Sequence, residues 1–141
     1  MSDDADRLAR HRAERRAAFA EHHAALERTR AADQRQAQAL IDGFVSALRA
    51  RGVDPVPLRA RVGGRARYRT GLMGWPLRAD GSLAVDVDGR FYSLDVSAGP
   101  LAYLTGVRPD PLPPPLHVGV GARDGESFAL TELIDRRLRE T

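Results

Sequence analysis

Met73-Gly74-Trp75-Pro76-Leu77-Arg78-Ala79-Asp80-Gly81-Ser82-Leu83-Ala84-Val85-Asp86-Val87-Asp88-Gly89-Arg90-Phe91-Tyr92-Ser93-Leu94 decides the fold of this chain. Its large apolar residues recur at every second position, the signature of strands with one buried face, and an Asp-Gly pair interrupts the pattern twice. Asp88-Gly89 suits a two-residue hairpin turn, which would pair Val87 with Arg90, Val85 with Tyr92 and Leu83 with Leu94. Ala79-Asp80-Gly81 suits a three-residue loop with glycine at the bulge, pairing Arg78 with Ser82. That register sets Met73, Trp75 and Leu77 beside Val87, Val85 and Leu83, whereas a two-residue loop would turn Arg78, Pro76 and Gly74 inward. Pro76 has no amide proton to donate and fits an edge strand or a bulge.

Downstream, Leu101 to Thr105 reads as a fourth strand and Leu116 to Val120 as a fifth. Between them Pro109 to Pro115, five prolines in seven residues, forms an extended loop crossing the end of the sheet. A turn at Asp124-Gly125 leads to a short helix capped by Thr131, with Leu130, Leu133, Ile134 and Leu138 facing inward.

Upstream, Asp3 to Arg51 contains no proline and only Gly43 among glycines, which predicts one long helix, or two with a break. Ala37, Leu40, Ile41, Phe44, Val45 and Leu48 form one apolar stripe suited to packing on a sheet. Gly52 ends the helix, and Pro55 and Pro57 forbid its continuation. The first half carries only Leu8, Phe19 and Leu26 as large apolar residues, and Asp33 interrupts the heptad row. It reads as a solvated helix stabilised locally by Asp3 with Arg7 and Asp6 with Arg10; a coiled-coil pair is the alternative.

The fold class is therefore α+β: a long N-terminal helix, an antiparallel β-meander of four or five strands and a short C-terminal helix. Residues 1–36 are expected to be a solvated helical extension and 37–141 a single α+β domain, in keeping with a length of 141 residues.

No run of eighteen apolar residues is present, and Met-Ser-Asp-Asp-Ala-Asp is unlike a secretory leader, so the expected location is the cytoplasm, with no membrane association. The absence of cysteine removes disulfides, thiolate nucleophiles and cysteine-held zinc. All 22 basic residues are arginine, a bias typical of a GC-rich genome that inflates the pI, while the net charge is only +3. The excess is local: residues 53–80 hold six arginines against two acids.

Within that segment Arg59 and Arg61, then Arg65, Arg67 and Arg69, alternate with small or apolar residues, so an extended chain projects each group to one side. With Tyr68 and Trp75 as stacking partners they form a candidate anion or nucleic-acid surface; the plainer reading is a solvated strand face. Other motifs fall short. His11, His22 and His23 lie on the helix without a matching third ligand, and His117 stands beside the proline loop with no partner signature. Asp86-Val87-Asp88-Gly89 lacks the sixth-position glycine of a calcium loop. The glycines from Gly119 to Gly125 lack the third glycine and following helix of a dinucleotide site.

Thr70-Gly71-Leu72-Met73-Gly74-Trp75-Pro76-Leu77-Arg78, the run Leu83 to Tyr92, and Asp124-Gly125-Glu126-Ser127 before a terminal helix resemble a family of small proteins from high-GC actinobacteria. The resemblance covers the chain from Ala37 onward and implies a genuine domain; it implies no activity and transfers no site residue. The functional expectation is a non-enzymatic cytoplasmic interaction or adaptor module that engages a protein partner or a second copy through its N-terminal helix, without a cofactor. The alternative is nucleic-acid or polyanion binding through arginines 59–69.

Overall fold

The computed structural model describes residues 2–63, 66–97, 102–119 and 127–141. Its contacts divide the chain into two units, Met1–Asp33 and Gln34–Thr141. Helix α1 spans Ser2–Ala50. In the first unit every described residue as far as Arg30 is exposed, including Leu8, Phe19 and Leu26. Local ion pairs there join Arg7 to Asp4 and Arg30 to Glu27, one turn apart. Arg10 reaches the backbone carbonyl of Asp6 rather than its carboxylate.

In the second unit the last turns of α1 bury Ala37, Ile41, Phe44, Val45 and Leu48, the stripe that the sequence marks as core. The helix stops as its composition predicts. Val53 donates to Leu48 O at 2.9 Å and Gly52 to Arg49 O at 3.0 Å, the paired bonds of a Schellman ending.

Four strands follow, β1 (Val56–Val62), β2 (Ala66–Pro76), β3 (Leu83–Asp86) and β4 (Phe91–Ser93), antiparallel and in sequence order. Trp75 pairs with Val85 and Pro76 with Ala84, and Gly81 donates to Arg78 O, so the β2–β3 loop has the three-residue form and register expected. Pro76 closes β2 beyond Gly74, the last β2 residue to pair with β1, so it has a strand partner only on the β3 side. Met73 is 43% exposed, so it does not share the burial of Trp75 and Leu77.

The β3–β4 turn differs from expectation by one residue. Val85 pairs with Phe91 and Ala84 with Tyr92, and Asp86 N donates to Arg90 O at 3.0 Å, leaving a three-residue loop. A two-residue turn of the favoured type needs positive φ at both central residues, and Asp88 does not adopt it; Gly89 does, at 80°. The carboxylate of Asp86 fixes this loop, with Oδ1 accepting from the amides of Asp88 and Arg90 at 2.9 Å each. Phe91, not Tyr92, therefore joins Val85, Trp75 and Leu77 against α1, while Tyr92 turns to the opposite face.

On that opposite face Leu58, Ala84, Tyr92 and Leu94 cluster with Leu72. The sheet curls to enclose them. Arg61 N donates to Leu94 O at 2.6 Å and Val96 N to Arg61 O at 2.8 Å, a parallel bridge that gives β1 a second neighbour and brings the first and last strands together.

Beyond the meander, Ala102–Thr105 is a single helical turn, α2, and not the expected fourth strand. The four-stranded count is met by β1, at the other end of the sheet. In the proline loop, Leu112 N donates to Phe91 O at 2.8 Å, so the loop crosses the sheet at β4. β5 (His117–Gly119) pairs with β6 (Ser127–Ala129) as a separate ribbon rather than extending the meander. Helix α3 (Leu130–Glu140) buries Leu130, Leu133 and Ile134, with Leu138 half-buried against the same cluster. Thr131 does not cap it: Ala129 occupies the cap position without a side-chain bond, and Leu130 N donates instead to Leu116 O. The Asp124-Gly125 turn lies outside the described residues.

Candidate anion-binding surface

The arginine row resolves into cross-strand layers. Arg59 stands opposite Arg69 and Arg61 opposite Arg67, with Ala60 and Tyr68 paired between them. Partners in an antiparallel pair share a face, so Arg59, Arg61 and Arg69 project from one side of the β1–β2 hairpin and Tyr68 from the other. Arg65 and the side chain of Arg67 lie outside the described residues.

The described members differ in their surroundings. Arg61 is 18% exposed in its side chain and is held by Asp80 at 3.6 Å, Asp95 at 3.4 Å and the Asp80 carbonyl at 3.0 Å. It is a structural tie between β1 and two loops. Arg59 and Arg69 are exposed, and neither side chain forms an ion pair among the described residues. Like charges placed directly opposite destabilise a sheet, and an anion lying between them removes that cost.

The expected stacking residue Trp75 is buried instead, 4% exposed. Its indole N–H donates to Val53 O at 3.1 Å, and the Arg49 guanidinium lies 5.6 Å from the ring centroid. The ring is part of the core and offers no open face to a base. Tyr68 is half-buried.

Beside β2 the chain makes a close approach that the sequence does not reveal. Val107 N donates to Arg69 O at 2.8 Å, and a Cβ on Gly106 would fall 2.6 Å from the same oxygen. This seats the segment after α2 against β2 and brings Arg108 to the same recess as Arg69. The recess holds about 290 Å³ and is lined by Arg69, Thr70, Gly71, Thr105, Val107 and Arg108. Thr70 is committed elsewhere, its hydroxyl donating to Leu58 O at 2.6 Å and accepting from Leu72 N. These bonds stabilise the irregularity in β2 opposite Leu58.

Two further recesses contain acids. One of about 270 Å³ lies between the β2–β3 loop and α3, with Arg78, Arg136 and Arg137 facing Asp80 and Glu140 over a floor of Leu77 and Leu133. The other, about 220 Å³, lies along β1 and includes Arg59, Arg61 and Asp80. Burial pushes the Asp80 carboxyl upward, but hydrogen bonds from the Ser82 hydroxyl and amide, with the charges of Arg78 and Arg61, outweigh it and hold the group below its ordinary value.

His11, His22, His23 and His117 are all exposed, and among the described residues no three metal-ligating side chains converge. Among these residues no helix is long and apolar enough to cross a membrane. Comparison of the chain with protein-family profiles, with curated proteins and with solved structures finds no match in any of the three.

Proposed function

We propose that this chain is a non-enzymatic interaction module whose N-terminal helix, residues 2–33, pairs with the same helix of a second copy. The observation that carries this reading is the exposure of Leu8, Phe19 and Leu26, at 56%, 73% and 46%, on a helix whose described residues up to Arg30 are all exposed. At 100° per residue the three lie within about 20° of one another, so they form one narrow stripe.

Charge favours the antiparallel arrangement. About a centre at Ala17, Leu8 falls opposite Leu26 of the other copy. The segment 7–16, with five arginines and one glutamate, then lies beside 18–27, which has two glutamates and no arginine. Asp3, Asp4 and Asp6 lie beside Arg28 and Arg30. Parallel pairing would stack Arg10, Arg12, Arg15 and Arg16 on themselves. The chain has no cysteine, so cross-linking is unambiguous. Leu8→Cys/Leu26→Cys should form interchain disulfides on mild oxidation while Leu8→Cys alone should not. Efficient cross-linking of the single variant would reverse the orientation, and none in either would remove the pairing.

A second reading, polyanion binding by the β1–β2 hairpin, is favoured by the directly opposed Arg59 and Arg69. Its test is titration of single-stranded RNA across a salt series, where log affinity should fall linearly with log salt. Arg59→Ala/Arg69→Ala should weaken binding and reduce the slope; unchanged affinity would end this reading.

A further inference from the structure

We propose that the recess between β2 and the segment after α2 binds a terminal phosphoryl group, gripped by Arg69 and Arg108. The inference deepens the polyanion reading but needs no nucleic acid. Three features of the recess support it.

The walls are fixed by backbone, not by side chains. The Val107–Arg69 hydrogen bond and the close seat of Gly106 on the Arg69 carbonyl hold the two arginines on one recess before any ligand arrives. Ligand binding then orders little besides the guanidinium groups.

The charge is of one sign among the described residues. None of those lining this recess is a carboxylate, whereas Asp80 and Glu140 enter the one beside α3 and Asp80 the one along β1. The side chains of Arg69 and Arg108 are exposed and form no ion pair among the described residues. In this they differ from Arg61 and Arg137, which are occupied by Asp80, Asp95 and Glu140.

The donors and the space match a phosphoryl group. Two planar guanidinium forks offer paired N–H donors to the several oxygens of one phosphate, a better match than a single carboxylate provides. The Thr105 side chain lies on the same lining, and a volume of about 290 Å³ admits a phosphoryl group with a short organic tail. It lies just below the range of about 300–1,000 Å³ typical of pockets for drug-sized ligands, as suits a smaller group.

The experiment is titration of the full chain with inorganic phosphate, phosphoserine and single-stranded RNA, followed by calorimetry and by amide NMR. Variants are Arg69→Gln, Arg108→Gln, the double variant and Arg139→Gln as an exposed control on α3, each checked for an unchanged melting temperature. Phosphate and phosphoserine should bind and move the Gly71 and Val107 amides. Each single variant should weaken binding about tenfold, the double should abolish it, and Arg139→Gln should leave it unchanged. No binding by the wild type at about 10 mM phosphate and low ionic strength, where a typical small-ligand site is filled, overturns the proposal. So does equal binding by the double variant. If phosphate binds at the recess and RNA does not bind, the polyanion reading falls and this one stands. RNA binding with no phosphate response at Gly71 or Val107 gives the reverse.

Discussion

The Tyr92 hydroxyl donates to Asp86 Oδ2 at 2.9 Å inside the curled sheet, while Oδ1 of the same carboxylate accepts from the Asp88 and Arg90 amides. One buried side chain thus ties the β3–β4 turn to the small cluster that the sheet encloses. Arg90 adds its charge at 3.9 Å from Oδ2.

Asp86→Ala removes the acceptor for three donors and should cost about 3 kcal/mol, since hydrogen bonds to a charged group contribute more than neutral ones. Asp86→Asn keeps a carbonyl oxygen for the two amides and should cost about 1 kcal/mol. Urea unfolding followed by Trp75 fluorescence measures both. Equal costs would mean that the turn does not depend on the Oδ1 bonds.

Burial, then the hydrogen bond to Asp86 and its negative charge, raise the Tyr92 hydroxyl above its ordinary value near 10. The unfolded chain therefore loses this proton first as pH rises. The associated stability is complete below about pH 10 and is lost as pH climbs through the folded value. Tyr92→Phe should be less stable at neutral pH and lose less stability above pH 10. Parallel pH profiles for the two proteins would exclude Tyr92 as the group responsible.

Asp80 behaves in the opposite sense. Its folded value is depressed, so its contribution is present above the unfolded carboxylate value, about 3.9, and fades as pH falls through the folded value. Arg61→Ala, which removes one cation from Asp80 and the tie to Asp95, should reduce the loss of stability on acidification. Thermal melts from pH 6 to pH 2 report this, and an identical acid limb in the variant would contradict it.

The Trp75–Val85 register is legible in the sequence because only the three-residue loop keeps Trp75 and Leu77 on the core face. The next hairpin is not, because Asp-Gly in a strand context suggests a two-residue turn and nothing local reveals that Asp86 will serve as the acceptor. The buried stripe of α1 is plain from its spacing, as is the bare stretch before it. The alternation of arginines marks a common face but not which members are engaged. Arg61 meets acids from two separate loops, and Arg108 reaches Arg69 only through a backbone contact far along the chain. Trp75 is a core residue and not a stacking platform because alternation places a tryptophan on the buried face as readily as on a surface.

The most direct test of the helix-pairing account is the mass of the full chain in solution, by size-exclusion chromatography with light scattering over a wide concentration range. Six leucine and phenylalanine side chains meeting across two copies, set against the cost of association, predict a dimer with a dissociation constant on the order of micromolar. Phe19→Glu should shift the protein to monomer without lowering its melting temperature, since Phe19 is 73% exposed. A full chain that stays at the mass of a single 15.4 kDa copy up to hundreds of micromolar, about a hundred times that constant, contradicts the account.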